Sequence, residues 1–357
     1  MTGTDEQPTP YLEIDAARMR GNIARVAALA ASRGVSMRPH VKTHKCVEIA
    51  RLQATAGSAG ITVATIGEAE VFVEAGFDDV FVAYPLWVTE AQAARLRALA
   101  ERATLSVGLD SAEAAGQLAL AGPQRVLVEI DSGHHRSGVP VEEAGSVALA
   151  ARSAGHTVVG VFTFPGHSYA PDRTTTAAHD EATALATAAA SLRGVGIEPS
   201  VVSGGSTPSL AASLSADSEI TELRPGVYVF GDAQQWELGS CTPDQIALTC
   251  VATVVSHAGG RVVLDSGSKA LGADWSAFAT GFGRLLDHPE ARIVILSEHH
   301  AVVEMTGPLP ALGSRVRVVP NHACNAVNLA DTFTVLDADA ARVVRRQWAI
   351  AARGRNS

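Results

Sequence analysis

The sequence predicts an α/β protein in two parts. One is a (β/α)8 barrel over residues 18–235, the other a second, mostly antiparallel β domain built from residues 1–17 and 236–357. Three observations carry the prediction. From about residue 20 to about residue 230, short β-branched runs alternate with alanine-rich amphipathic stretches, the pattern of parallel strands joined by helices. After about residue 235, strand-like runs follow one another with few helices between them, which reads as antiparallel β structure. A strand-like Tyr-Leu-Glu-Ile-Asp at 11–15 can join that second sheet, so the chain starts there, passes through the barrel and returns.

The elements follow in order. After 11–15, residues 16–31 form the first helix. Gly34 and Val35 turn into a strand over 35–41, and the apolar spacing of 46–52 is helical. Further strands are predicted at 61–65, 79–83, 105–109, 126–130, 158–163, 200–202 and 227–230, with helices at 67–76, 89–102, 111–121, 141–154 and 177–194. A short helix starts at 210–214. Eight strands separated by helices make a closed TIM barrel the leading architecture, with an open doubly wound sheet as the alternative. Strands at 246–255, 260–264, 292–297, 301–305 and 314–319, with turns at Gly259-Gly260 and Thr306-Gly307-Pro308, make the second domain. The sequence shows no internal repeat beyond the βα alternation.

Composition narrows the function. The 357 residues are 47% hydrophobic, enough for a large core, and the formal net charge is -9, which argues against nucleic acid as a partner. No apolar run approaches the ~20 residues that span a bilayer. The start, MTGTDEQPTP, is acidic and polar and reads as a loose tail, not an export signal. Four cysteines, at 46, 241, 250 and 324, are too sparse for a disulfide framework, so reduced thiols and a cytoplasmic location are expected.

Five motifs carry candidate chemistry, four of them at the C-terminal ends of proposed barrel strands. In Arg38-Pro39-His40-Val41-Lys42-Thr43-His44-Lys45, Lys42 sits at the mouth of a strand-to-helix loop. Partial desolvation and cationic neighbours there favour the free amine, the nucleophile required for a Schiff base with an aldehyde such as pyridoxal phosphate. A basic loop that solvates its charges is the bland alternative. In Asp131-Ser132-Gly133-His134-His135-Arg136-Ser137-Gly138, Arg136 stays protonated and only donates, so a pyridine nitrogen facing it would remain unprotonated; pairing with Asp131 is the alternative. Ser203-Gly204-Gly205-Ser206-Thr207-Pro208-Ser209 offers backbone N–H groups and hydroxyls before a helix, a recipe for phosphate, though flexible turns use the same residues. Tyr228, in the proposed last strand, can donate to the same phosphate or pack at the domain junction. In the second domain, His322 and Cys324 lie two apart on what reads as an extended segment, projecting to one side with donors that favour zinc. Tyr169 in Phe164-Pro165-Gly166-His167-Ser168-Tyr169 can face the barrel mouth, and His299-His300 can join the metal or substrate site.

Taken together, these motifs and Asp265-Ser266-Gly267-Ser268-Lys269-Ala270-Leu271 resemble the family of D-serine dehydratase and D-threonine aldolase, pyridoxal-phosphate enzymes of the alanine-racemase fold type. The resemblance covers almost the whole chain. It implies that Lys42 carries the Schiff base and removes the Cα proton, and that Arg136 faces the pyridine nitrogen. It implies too that Gly205, Ser206, Thr207 and Tyr228 hold the phosphate, with His40 and Tyr169 also on the cofactor. His322 and Cys324 would bind a divalent metal, zinc or alternatively manganese. A cysteine at the second ligand position favours the dehydratases, since the aldolases are associated with aspartate there. The segment Ser297-Glu298-His299-His300-Ala301 departs from the Glu-His-Gly pattern of the family and leaves the substrate open. The implied reaction is β-elimination from a small-molecule 3-hydroxy-D-amino acid, D-serine to pyruvate and ammonia, in a homodimer. The alternatives are aldol cleavage of D-threonine, dehydration of D-threo-3-hydroxyaspartate, racemisation, a zinc hydrolase, and a non-catalytic pyridoxal-phosphate carrier.

Overall fold

The computed structural model describes residues 7–215, 218–339 and 342–357. The first six residues of the predicted loose tail lie outside the described residues. The chain divides into two compact units. One comprises Ile23–Gly226 with Gly354–Ser357, the other Met1–Asn22 with Val227–Arg353.

In the first unit eight parallel strands follow the order Ser36–Met37, Glu222–Leu223, Val201–Gly204, Thr157–Phe162, Arg125–Glu129, Thr104–Leu109, Asp79–Val82, Ile61–Val63. A parallel bridge between His40 and Thr62 joins the two ends of that order, so the sheet closes and the open-sheet alternative is excluded. The strands are buried almost throughout, as expected when a parallel sheet is covered on both faces. Phe81, Leu127, Val159 and Phe162 form one of its apolar clusters, with Phe81 and Phe162 edge to face at 5.1 Å. Between Thr157–Phe162 and its neighbour, a Cβ on Gly160 would lie 1.7 Å from the Val201 carbonyl oxygen, so only glycine permits this strand approach. The helices start where their caps are: Thr65 accepts from the Glu68 N–H, Thr89 and Gln92 form a capping box, and Ser111 accepts from the Ala114 N–H.

Two strand predictions need correction. The first barrel strand is only Ser36–Met37, and Val41–Thr43 is a 3-10 turn. The eighth strand is Glu222–Leu223, while Val227–Val229 is a 3-10 turn in the other unit. The reason is chemical. Glu222 points its carboxylate at Arg38 and Ser203 inside the barrel, so this strand lacks the apolar pattern that Val-Tyr-Val-Phe displays without being a strand.

The second unit holds a sheet of nine strands in the order Val262–Leu264, Ala301–Glu304, His288–Leu296, Gly283–Leu285, Arg315–Pro320, Leu248–Ser256, Tyr11–Asp15, Thr332–Asp339, Arg342–Ala349. Val262–Leu264 also pairs with Leu248–Ser256, which closes the first six strands into a ring. Tyr11–Asp15 joins as predicted, antiparallel to Leu248–Ser256 and parallel to Thr332–Asp339. A third correction falls here: His322 is extended but caps the N-terminus of a helix, Ala323–Leu329, which contains Cys324. No helix among the described residues is long and apolar enough to cross a membrane.

Candidate active site

In the barrel unit the site begins with the octapeptide, whose basic residues do different work. Arg38 is a structural ion pair: Nε donates to Glu222 at 2.6 Å and Nη1 to Asp79 at 2.7 Å. His44 is fully buried, accepts from the Cys46 N–H, meets Gln53 at 3.1 Å, and burial lowers its pKa to about 4. Lys45, at a left-handed φ of 51°, pairs with Glu68 at 3.4 Å. The other two basic residues are Lys42 and His40. The half-buried Lys42 sits in the turn Val41–Thr43 at the end of the first barrel strand. A Cβ on Gly226 would lie 2.5 Å from Thr43 Oγ1 and 3.0 Å from the His40 carbonyl, so glycine lets the following chain close against this turn. His40 Nδ1 is buried with no hydrogen-bond partner among the described residues. Burial first, then the charges of Lys42, Arg224 and Arg136, hold His40 far below its usual pKa and therefore neutral.

Three of the predicted cofactor residues, Lys42, Arg136 and Tyr169, lie around Phe164, which stands out in the sequence only as the start of the Tyr169 segment. The Phe164 ring lies 6.0 Å from Lys42 Nζ, 5.2 Å from Arg136 Cζ, 5.5 Å from the His134 ring and 6.0 Å from the Tyr169 ring. Phe164 opens the segment expected to face the barrel mouth and follows the strand Thr157–Phe162 by two residues. Asp131 is not the partner of Arg136. Its Oδ1 accepts from the Gly133 and His135 N–H groups at 2.9 and 3.0 Å, and its Oδ2 meets His135 Nδ1 at 2.6 Å. Arg136 stays exposed, with its guanidinium over Phe164.

The glycine-serine loop is tied down by hydrogen bonds between hydroxyls. Ser206 Oγ meets Ser168 Oγ at 2.7 Å and Ser209 Oγ at 2.8 Å, which ties the loop to the turn that precedes Tyr169. Gly205 adopts a φ of +91°, where a side chain would be strained and its Cβ would meet Leu223 at 2.6 Å. Its N–H donates to the buried Glu181 at 2.5 Å, so that donor is already engaged; Ser206 and Thr207 remain in the loop, both buried. Glu181 itself is raised to about 7 by burial. Tyr228 is buried in the turn Val227–Val229 of the other unit.

In that unit His322 Nδ1 lies 2.6 Å from Asp274 Oδ2. Burial disfavours charge on the ring, but the Cys324 sulfur and the Asp274 hydrogen bond outweigh it and push His322 up to about 11. The His322 ring thus lies within hydrogen-bonding reach of both the Cys324 sulfur and the Asp274 carboxylate, and a nitrogen–sulfur pair of this kind is a donor set that a soft divalent metal takes. Among the described residues no group of three or more His, Cys, Asp or Glu side chains is arranged to hold a metal ion, so the candidate rests on two ligands. His299 and His300 are exposed in the turn between His288–Leu296 and Ala301–Glu304, beside the Lys269–Glu298 ion pair.

A closed parallel barrel with a lysine and a neutral histidine at its strand ends, followed by a β unit bearing a His–Cys pair, defines a class, and the comparisons agree with it. Residues 14–234 match the alanine racemase N-terminal domain, and residues 247–336 match a serine dehydratase domain. The chain is 34% identical to D-threo-3-hydroxyaspartate dehydratase of Delftia sp., over 93% of this chain and 94% of that one. The solved structure of that enzyme superposes with a TM-score of 0.88, covering 96% of this chain and 97% of that one at 33% identity. D-threonine aldolase of Arthrobacter sp. is 33% identical over 97% of this chain and 93% of its own. D-serine dehydratase of Dictyostelium discoideum is 28% identical over 93% and 94%. The chain belongs to the D-serine dehydratase and D-threonine aldolase family, pyridoxal-phosphate-dependent lyases on the alanine-racemase fold.

Proposed function

We propose that this lyase is a metal-assisted dehydratase of 3-hydroxy-D-amino acids, with D-serine as the simplest substrate and pyruvate and ammonia as products. The observation that carries the reading is the close His322–Cys324 pair with Asp274 behind it. Imidazole and thiolate suit zinc, with manganese the alternative. A cysteine in the second place supports elimination over aldol cleavage. The solved structure of a cysteine-to-alanine mutant of D-threo-3-hydroxyaspartate dehydratase is a metal-free form.

Pyridoxal phosphate suits the barrel unit on one observation: the buried His40 Nδ1, orphaned among the described residues, two residues from Lys42. Bound there, the cofactor supplies the electron sink that makes the Cα proton of an amino acid removable. Lys42 is the group that holds the cofactor and takes that proton. Arg136 donates only, so it holds a ring nitrogen unprotonated and weakens the sink. Neutral His40 offers a lone pair without adding a charge. The Ser206–Thr207 segment is fixed for the phosphate by Ser168 and Ser209. Loss of hydroxide on a weak sink calls for Lewis-acid help, which a metal would supply, and His322 with Cys324 would hold it. A homodimer is part of the same reading.

The similarity to the Delftia enzyme favours a second substrate, D-threo-3-hydroxyaspartate, which carries one more carboxylate than D-serine. The test is a pyruvate and ammonia assay with D-serine, and an oxaloacetate assay with D-threo-3-hydroxyaspartate, before and after chelation and zinc restoration. Zinc-dependent 2-oxo acid supports the dehydratase, and the preferred substrate decides between the two readings. Glycine and an aldehyde from D-threonine would replace dehydration with aldol cleavage. Lys42→Ala should abolish both the cofactor absorbance band and turnover.

A further inference from the structure

The metal reading explains His322 and Cys324 but not what orients them. We propose that Asp274 is the positioning residue of this pair: its carboxylate fixes the ring plane and tautomer of His322 so that the ring's other nitrogen ligates the metal beside Cys324. The inference rests on the metal reading and goes beyond it.

A neutral imidazole that ligates through one nitrogen carries its proton on the other, and the acceptor of that proton decides which nitrogen ligates. Asp274 Oδ2 stands 2.6 Å from Nδ1, so the proton belongs there. The chain is shaped to bring Asp274 to this place. The helix Ser268–Leu271 ends at Gly272 with a φ of +77°, and a Cβ on Gly272 would lie 3.0 Å from the Asn325 Cβ and 3.4 Å from Asp274 Oδ1. Glycine therefore lets the Asp274 segment pack directly on the first turn of Ala323–Leu329.

The backbone between the ligands is held independently. Asp232 Oδ2 accepts the N–H of Ala323, the residue between His322 and Cys324, at 3.1 Å, while its Oδ1 accepts from Gln235 at 2.8 Å. Asn321 donates its side-chain amide to the Gly281 carbonyl at 2.7 Å, and its own carbonyl accepts from Gln234 at 3.2 Å. With the main chain fixed on both sides of His322, the ring torsion is the freedom left, and Asp274 restrains it at Nδ1 while Cys324 meets the ring as its other partner.

Removing such a partner typically weakens metal binding by about 10–100-fold. The experiment uses the full chain with cofactor bound, stripped of metal, and measures zinc affinity by competition with a chromophoric chelator. Asp274→Ala should raise the zinc dissociation constant by about 10–100-fold and the isosteric Asp274→Asn by less. Asp274→Glu should recover part of the loss. Glu298→Gln, on an exposed carboxylate paired with Lys269, should leave the constant unchanged. With cobalt in place of zinc, the thiolate-to-metal charge-transfer band should persist in Asp274→Ala and vanish in Cys324→Ser, which separates loss of orientation from loss of a ligand. Zinc constants within twofold for wild type, Asp274→Asn and Asp274→Ala overturn the inference and leave the metal reading standing. Absence of zinc binding in the wild-type protein overturns both.

Discussion

Glu181 shows how one side chain can govern a loop that it does not belong to. It lies fully buried on the helix Thr174–Gly194, accepting the Gly205 N–H with one oxygen and the Ser213 hydroxyl with the other. Burial raises it from 4.5 to about 7, although those two bonds and the charge of Arg224 pull the other way. The native protein therefore keeps a proton that the unfolded chain has released between about pH 4.5 and 7, and stability falls as pH rises through that window. Across it the penalty reaches roughly 3 kcal/mol at about 1.4 kcal/mol per unit. Glutamine accepts the Gly205 N–H through its oxygen and donates its amide to the Ser213 hydroxyl, without the charge. Glu181→Gln should match wild type in urea unfolding at pH 5 and exceed it by about 1–3 kcal/mol at pH 8; a difference that does not change with pH would refute the assignment. Phe164 makes the complementary case. Two cations and two rings face it, and exposed cation–π contacts contribute about 0.5–1 kcal/mol each. Phe164→Leu should therefore weaken cofactor binding by roughly tenfold while leaving the fold intact, measured by absorbance titration and circular dichroism.

At the scale of elements, the loop from Asp131 to Gly138 is held by its ends. The Ile130–Val139 bridge closes it, and Gly138, at a φ of +94°, donates to Asp110. A Cβ there would stand 2.5 Å from the Ile130 carbonyl carbon and 2.7 Å from the Asp131 nitrogen, main-chain atoms that cannot swing away. Gly138→Ala should destabilise the protein by about 2–3 kcal/mol and loosen Arg136. By contrast Gly116, inside the helix Ala112–Leu118 with nothing within 4 Å of its Cβ position, should tolerate alanine and gain about 0.5–1 kcal/mol. Chemical denaturation of the two variants gives the pair of opposite signs. The same comparison shows what the sequence made legible. Lys42, Arg136 and Tyr169 are singled out because strand ends in a βα pattern collect chemistry, and the structure places all three around the Phe164 ring. Glu222–Leu223 was missed because two residues with an inward carboxylate carry no periodicity. The sequence could not show that His44 and Lys45 of the same octapeptide are buried against Gln53 and Glu68. Asp274 had no signal at all, since its role depends on a loop 48 residues from its partner.

Across the whole chain, the order of the two units was readable from the change of period after the barrel, but not the return of the last residues. Gly354–Ser357 groups with the barrel unit. There Thr65 donates its hydroxyl to the Arg355 carbonyl at 2.6 Å, Gly67 its N–H to the Ser357 oxygen at 3.0 Å, and Arg95 to the same oxygen at 3.1 Å. Lys45, three residues beyond Lys42, reaches Asn356 at 3.3 Å. A four-residue segment of polar and small residues has no periodicity to announce this, because hydrogen bonds to a helix start hold it instead of apolar burial. Gly67 supplies a test whose sign decides the matter. Its Cβ position lies 2.6 Å from the Ser357 oxygen, so alanine there must displace the segment. Without a docked segment, Gly67→Ala on the helix Ile66–Glu74 should stabilise by up to about 1 kcal/mol through helix propensity. With it docked, the variant loses several hydrogen bonds of about 0.5–1.5 kcal/mol each, and the net change should be destabilising. Thermal unfolding of Gly67→Ala, in full-length protein and after removal of residues 354–357, should show a lower melting temperature in the first background and a higher one in the second. An increase in both would mean that the segment does not hold the barrel in solution.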